Sequence, residues 1–212
     1  QIADDESIVK NIPDIAWSID LIRALGVIPS PYLKYSYQTR AMLAEEKEAM
    51  NKGRLRACEV MAIEKELFAL YRDPDLREKP AQLSQRGGAY YSEIAISLIH
   101  SIYNNTSRVH VVNTMNRGAI PDLPYDSIVE TNSLVNASGA HPLAAGPLPL
   151  TVRGLVQEVK AYEELTVAAA VAGSKETALA ALVNNALVRD ASVARDLLDR
   201  IIEAHPGYIH LK

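Results

Sequence analysis

The sequence predicts a mostly helical α+β fold with a small sheet. Three features carry that expectation: apolar residues at helical spacing through both ends, two short strand-like runs between them, and one breaker-rich stretch that suits neither element. Taken in order, Ile12, Ile15, Ile19 and Ile22 fall on one helical face after Pro13, and Gly26 should end that helix. Gln38 to Tyr71 is rich in Glu, Lys, Ala, Leu and Met, with Met42, Ala49, Leu55, Val60, Ile63, Leu67 and Leu70 as candidate core positions. Gly53 interrupts it, so the block reads as two helices or one bent helix, and Glu45-Glu46-Lys47-Glu48 as a solvated face. A third helix runs from about Tyr90 through Ile94, Leu98, Ile102 and Tyr103 to Asn104-Asn105.

Val109 to Val112 and Ser127 to Thr131 then read as strands around a turn from Pro121 to Pro124. Asn136 to Pro149 holds Gly139, Pro142, Gly146, Pro147 and Pro149, and is expected to be loop. Val152 to Ala172, Lys175 to Val188 and Ser192 to Ala204 regain helical spacing, with Gly173-Ser174 separating the first two and Asp190 capping the third.

Composition bounds the function. At 212 residues, 48% hydrophobic and 23% charged, the chain can bury a core, as a single domain over residues 1–212 or one domain with an appendage. The lone Cys58 excludes a disulfide framework and fits a reducing cytoplasm; inside a continuous helical pattern it reads as a packed core thiol. No apolar run approaches the roughly 18 residues of a membrane span, and the acidic start is unlike a secretory signal. A soluble, cytoplasmic protein with no membrane partner is the expectation. Net charge is −4 with the basic residues scattered, which argues against nucleic acid.

The richest local pattern is Arg86-Gly87-Gly88-Ala89-Tyr90-Tyr91-Ser92-Glu93, where two glycines lead into a helix whose first turn carries a cation and two phenols. Unpaired N–H groups and the positive end of the macrodipole favour an anion there. A phenol with a pKa of about 10 works as a base near neutrality only if a cation lowers it. Tyr91 is therefore a candidate general base, against the plainer reading of a tyrosine wall at a helix start. None of the five histidines stands at His-x-x-His or His-x-x-x-His spacing, and no metal site is assigned. His100, His110 and His141 read first as packing or surface residues.

Downstream lie Asn113-Thr114-Met115-Asn116-Arg117-Gly118-Ala119-Ile120, then Leu123-Pro124-Tyr125-Asp126 and Ile128-Val129-Glu130. With the Arg-Gly-Gly-x-x-Tyr-Ser element, this ordered set resembles family 4 of the glycoside hydrolases, specifically its 6-phospho-β-glucosidases. Leu25 to Tyr35 and the helices from Val152 onward are also similar, so the resemblance spans roughly residues 20 to 205. The family's dinucleotide domain, marked by Gly-x-Gly-x-x-Gly, has no counterpart: the ten glycines never fall two apart. The family's metal-binding Cys and His lie upstream of the region that matches.

The resemblance thus implies the C-terminal, substrate-side portion of an enzyme using NAD and a divalent metal such as manganese, with neither expected on this chain alone. It implies hydride removal from C3 of the sugar, loss of the acidified C2 proton to a tyrosine, elimination of the aglycone, then addition of water, a route outside paired-carboxylate chemistry. Tyr91 matches the base because it directly precedes the signature serine, and Tyr90 is the fallback. Two roles stay open for Arg86: lowering the pKa of Tyr91, or holding the sugar phosphate. Asn113 and Asn116 are candidate donors to substrate hydroxyls or phosphate, beside a reading as turn-stabilising amides, and Arg117 is a weaker phosphate candidate. The implied partner is a phosphorylated disaccharide or aryl glycoside. Association of copies through the C-terminal helices is expected, and the isolated chain should not turn over substrate. A non-catalytic oligomerisation module, or action on another phosphorylated or uronic sugar, are the alternatives.

Overall fold

The computed structural model describes residues 16–86 and 91–212. Gly87, Gly88, Ala89, Tyr90 and the helix start expected at Ile12 to Ile15 lie outside the described residues. Contacts group the chain into two compact units, Gln1–Arg23 with Val27–Ile99, and Ala24–Gly26 with His100–Lys212.

The first unit is helical. Helix α1 spans Ile19–Leu25 and enters the second unit at its end; the Ser18 hydroxyl accepts the Leu21 N–H at 3.1 Å and caps it. A 3₁₀ turn at Pro31–Leu33 leads into the one-turn α2, Lys34–Tyr37. The charged block resolves into two helices, α3 (Thr39–Asn51) and α4 (Arg56–Leu70), parted at Gly53, whose φ of 64° suits glycine. Met42 and Leu67 are buried in this unit, whereas Leu70 is exposed. Cys58 is also exposed, which corrects the packed-thiol expectation: it lies on the outer face of α4, opposite the stripe that buries Leu67. The short α5 (Gln82–Arg86) and α6 (Tyr91–Tyr103) follow, and α6 carries the chain into the second unit.

There, β1 (Arg108–Met115), β2 (Ile128–Asn136) and β3 (Gly139–Pro142) form an antiparallel sheet in the order β1-β2-β3. Alternation on β2 buries Val129, Thr131, Ser133 and Val135, exposes Glu130 and Asn132, and leaves Leu134 half-buried. Strand β3 corrects the expectation of loop from residue 136. The Asn136 side chain accepts the Ser138 N–H, Gly139 adopts φ 102°, and the chain turns back onto β2. Pro142 pairs opposite Ser133 while Leu143 N–H reaches Asn132 C=O, so the imide nitrogen faces away from β2 and costs no ladder bond.

Helix α7 (Leu150–Ala172) starts behind Pro149 and stops at Gly173, whose left-handed φ of 64° comes with a His210 carbonyl 3.1 Å from where a Cβ would stand. Helix α8 (Lys175–Val183) ends earlier than Val188 because Asn184 and Asn185 turn the chain, their side chains bonding Ala180 C=O and Leu187 N–H. Helix α9 (Ala191–Ala204) is capped by Asp190, whose carboxylate accepts from Ser192 and Val193 N–H. Ala169, Ala181, Ala194 and Leu198 close the core between these three helices.

Candidate functional site

Four residues stood out from the sequence, and the structure divides them between the units. Arg86 and Tyr91 belong to the first, Asn113 and Asn116 to the second.

Arg86 closes α5, and its guanidinium donates from Nε to Glu64 Oε1 on α4 at 2.9 Å. Arg56 Nη2 in turn donates to the carbonyls of Gln85 (2.8 Å) and Arg86 (3.0 Å), satisfying the end of α5. Both partners of the Arg86–Glu64 pair are well exposed, so little energy holds it and a stronger anion can displace Glu64. Tyr91 occupies the first residue of α6 and is 72% exposed. Most of its side chain is therefore in contact with solvent. Two positions on, Glu93 holds its carboxylate below the usual range through its own backbone N–H and then the Ser92 hydroxyl. That carboxylate already answers the positive end of the helix.

In the second unit Asn113 stands on the exposed face of β1, opposite Glu130. Among the described residues its side chain makes no hydrogen bond. Asn116 is the reverse, with 0% exposure. Its Nδ2 lies 2.9 to 3.0 Å from the carbonyls of Ile120, Leu123 and Pro124, and its Oδ1 accepts the Ile120 N–H at 2.8 Å. With one amide occupied from four sides, Asn116 has no donor left for a sugar hydroxyl or phosphate. The turn-stabilising reading therefore describes it, and the direct substrate contact does not.

What Asn116 builds is the loop over residues 116–127. Arg117 and Gly118 take consecutive positive φ values of 49° and 84°, closed by Ala119 N–H to Asn116 C=O. A left-handed arginine is uncommon and persists only where its surroundings over-determine it. Those surroundings include Asp122, which the sequence reading did not single out. One of its carboxylate oxygens accepts the Leu148 N–H at 2.6 Å and the other pairs with Arg153 Nε at 3.2 Å, while its carbonyl accepts from Gln157 on α7. The Pro121-Asp122 dipeptide was the available signal, since Asp after Pro is turn chemistry. A further internal tie joins His110 Nε2 on β1 to the fully buried Ser101 hydroxyl at the end of α6, at 2.8 Å.

The model of the family 4 glycosyl hydrolase C-terminal domain matches residues 1–188. This chain belongs to that family. A probable 6-phospho-beta-glucosidase of Bacillus subtilis (strain 168) is 47% identical over 201 residues, covering 95% of this chain and 46% of the relative. The 6-phospho-beta-glucosidase of Escherichia coli (strain K12) is 38% identical, covering 96% and 45%. Among solved structures, the 6-phospho-beta glucosidase of Thermotoga maritima, described with manganese, NAD+ and glucose-6-phosphate, superposes with a TM-score of 0.84 at 36% identity over 95% of this chain and 47% of that one. The chain spans about half the length of the relatives it matches. The mostly helical fold with a three-stranded antiparallel sheet is that of the family 4 C-terminal domain.

Whether these residues fit a metal is answered by their side chains. Among the described residues no three of His, Cys, Asp or Glu converge where an ion could be held. Cys58 is exposed on α4, His110 is taken by Ser101, and His141 Nε2 lies 2.7 Å from the Ser138 hydroxyl. Among the described residues, then, no side chains form a donor set for manganese. Among the described residues, too, no helix is long and apolar enough to cross a membrane.

Proposed function

We propose that this chain is the substrate-side half of a cytoplasmic 6-phospho-β-glucosidase, acting on a phosphorylated disaccharide or aryl glycoside. The observation that carries the reading is the 47% identity to a probable 6-phospho-beta-glucosidase along 95% of the chain. In the whole enzyme NAD supplies hydride acceptance and a divalent metal supplies charge stabilisation at the sugar oxygens. This chain's own contribution is to bind, orient and move a proton.

Tyr91, exposed at the first turn of α6, removes the proton from C2 of the sugar ring. Loss of that proton expels the aglycone by elimination. Arg86 can release the exposed Glu64 carboxylate and turn its guanidinium to the sugar phosphate, which matches it bidentately. Asn113, with an amide that bonds nothing among the described residues, donates to a ring hydroxyl or to the phosphate, and Asn116 keeps the adjoining loop in shape. The 212-residue chain by itself is expected to turn over no substrate, since among the described residues no donor set for the metal converges.

The test is turnover of p-nitrophenyl 6-phospho-β-glucoside by the longer enzyme with NAD and manganese present. Cleavage that requires all three is the expected result. Bound cofactor without cleavage rejects the substrate, and cleavage by the 212-residue chain alone rejects the assignment of the metal to the other half.

A further inference from the structure

Helices α7, α8 and α9 do not fill the space between them. A cavity of about 420 Å³ lies there, walled by Ala169 and Ala170 on α7, Ala178 and Ala181 on α8, Leu198 on α9, and the returning segment from Tyr208 to Leu211. Protein interiors pack as densely as organic crystals, and voids larger than a water molecule are few. Alanine opens this one, because each of the four positions on α7 and α8 contributes a single methyl to the wall. About 150 Å³ of apolar space takes a benzene ring, and small-molecule sites run from roughly 300 to 1,000 Å³.

Every wall of the cavity comes from the second unit, the returning segment included. That segment is tied back by its own backbone: Lys212 N–H donates to Gly173 C=O at 2.7 Å, and Lys175 N–H to Lys212 C=O at 3.1 Å. The lining chemistry then selects the occupant. It contains no carboxylate, ammonium or guanidinium, so a charged molecule such as a sugar phosphate would lose hydration without gaining a partner. The Thr166 hydroxyl is taken by Tyr162 C=O at 2.7 Å. The Tyr162 hydroxyl and the His210 imidazole bond nothing among the described residues, and with Tyr208 these two residues put three aromatic rings on the wall.

We propose that this cavity binds a compact, neutral aromatic molecule bearing one hydroxyl, a phenol in the simplest case. The ring supplies the volume that the four alanines leave empty and packs against Leu198, while its hydroxyl bonds the Tyr162 hydroxyl. A bound ring touches three helices and the returning segment at once, so occupancy stabilises this unit. Arg86, Tyr91 and Asn113 are not among the residues that line it, so it is a second site and not part of the first.

The site is independent of the enzymatic reading and is tested with phenol as the probe, on the 212-residue chain and on the longer enzyme. Methyl resonances of Ala169, Ala178, Ala181 and Leu198 should shift together and saturate, and the melting temperature should rise with phenol concentration. Phenyl phosphate should do neither. Ala178→Leu fills the space and weakens phenol binding by roughly tenfold or more, and Ala170→Leu does the same from α7. Tyr162→Phe narrows the preference for phenol over toluene. Val193→Leu, on the exposed face of α9, leaves binding unchanged. Circular dichroism checks that each variant folds. Shifts that never saturate, folded Ala178→Leu and Ala170→Leu chains that bind as tightly as the parent, or a phenol preference untouched by Tyr162→Phe overturns the proposal. So does binding by the 212-residue chain that the longer enzyme lacks, because the rest of the protein would then fill the space.

Discussion

Tyr91 and Asn116 arise from the same set of sequence motifs and end in opposite surroundings. Tyr91 starts a helix in a unit that buries Met42 and Leu67, and its own side chain is mostly solvated. Asn116 sits with no exposure in a unit whose core draws on sheet, loop and helices, and every polar atom of its side chain is in use. A signature motif therefore mixes two kinds of residue: those that hold the chain in place, and those left open to act on something else. Exposure and hydrogen-bond saturation separate them where residue type does not.

That difference can be broken at its strongest point. Asn116→Ala removes a buried amide and orphans an N–H and several carbonyls, which should destabilise the second unit by about 2 to 4 kcal/mol in denaturant unfolding. A loss under roughly 0.5 kcal/mol, the size of a surface change, would mean the loop does not depend on it. Asp122→Ala should cost less, about 1 to 2 kcal/mol, because Leu148 N–H and Arg153 lose one partner each at the start of α7.

Smaller still is the cap on α9. Asp190 is held below the usual carboxylate range by the Ser192 hydroxyl and then the Val193 and Ser192 N–H groups. A depressed folded pKa means stability present above the unfolded value of about 3.9 and lost as pH falls through the folded one. The melting temperature of Asp190→Ala should therefore lie below the parent's at neutral pH, and the gap should narrow on acidification. A gap constant with pH contradicts the cap. At the open end of the comparison, Glu64→Gln should change stability by less than about 1 kcal/mol, since its ion pair with Arg86 is solvated. Freed of that carboxylate, Arg86 should bind inorganic phosphate more tightly, as read by titration of the longer enzyme.

Much of this was legible from residue spacing. The two helices parted at Gly53, the third ending before Asn104, the Asp190 cap and the glycine stop at Gly173 all follow from local rules, and local rules decide such features. Strand β3 was not legible, because its pairing with β2 is a tertiary event that overrides the breaker signal of Gly139 and Pro142. Cys58 misled because helical spacing gives periodicity without saying which face meets a neighbour. Asn116 was ambiguous for a related reason: an amide that recognises a sugar and one that ties a turn are the same residue until its surroundings are seen. Arg86 and Tyr91 were legible as a motif.

The most direct measurement is C2 deuterium exchange of a 6-phospho-β-glucoside in the longer enzyme carrying Tyr91→Phe. Removing one exposed hydroxyl should leave stability within roughly 0.5 kcal/mol of the parent's. Loss of exchange in a folded, cofactor-binding variant is the predicted result. Exchange at the parent's rate would show that another group takes the proton, and would contradict the account.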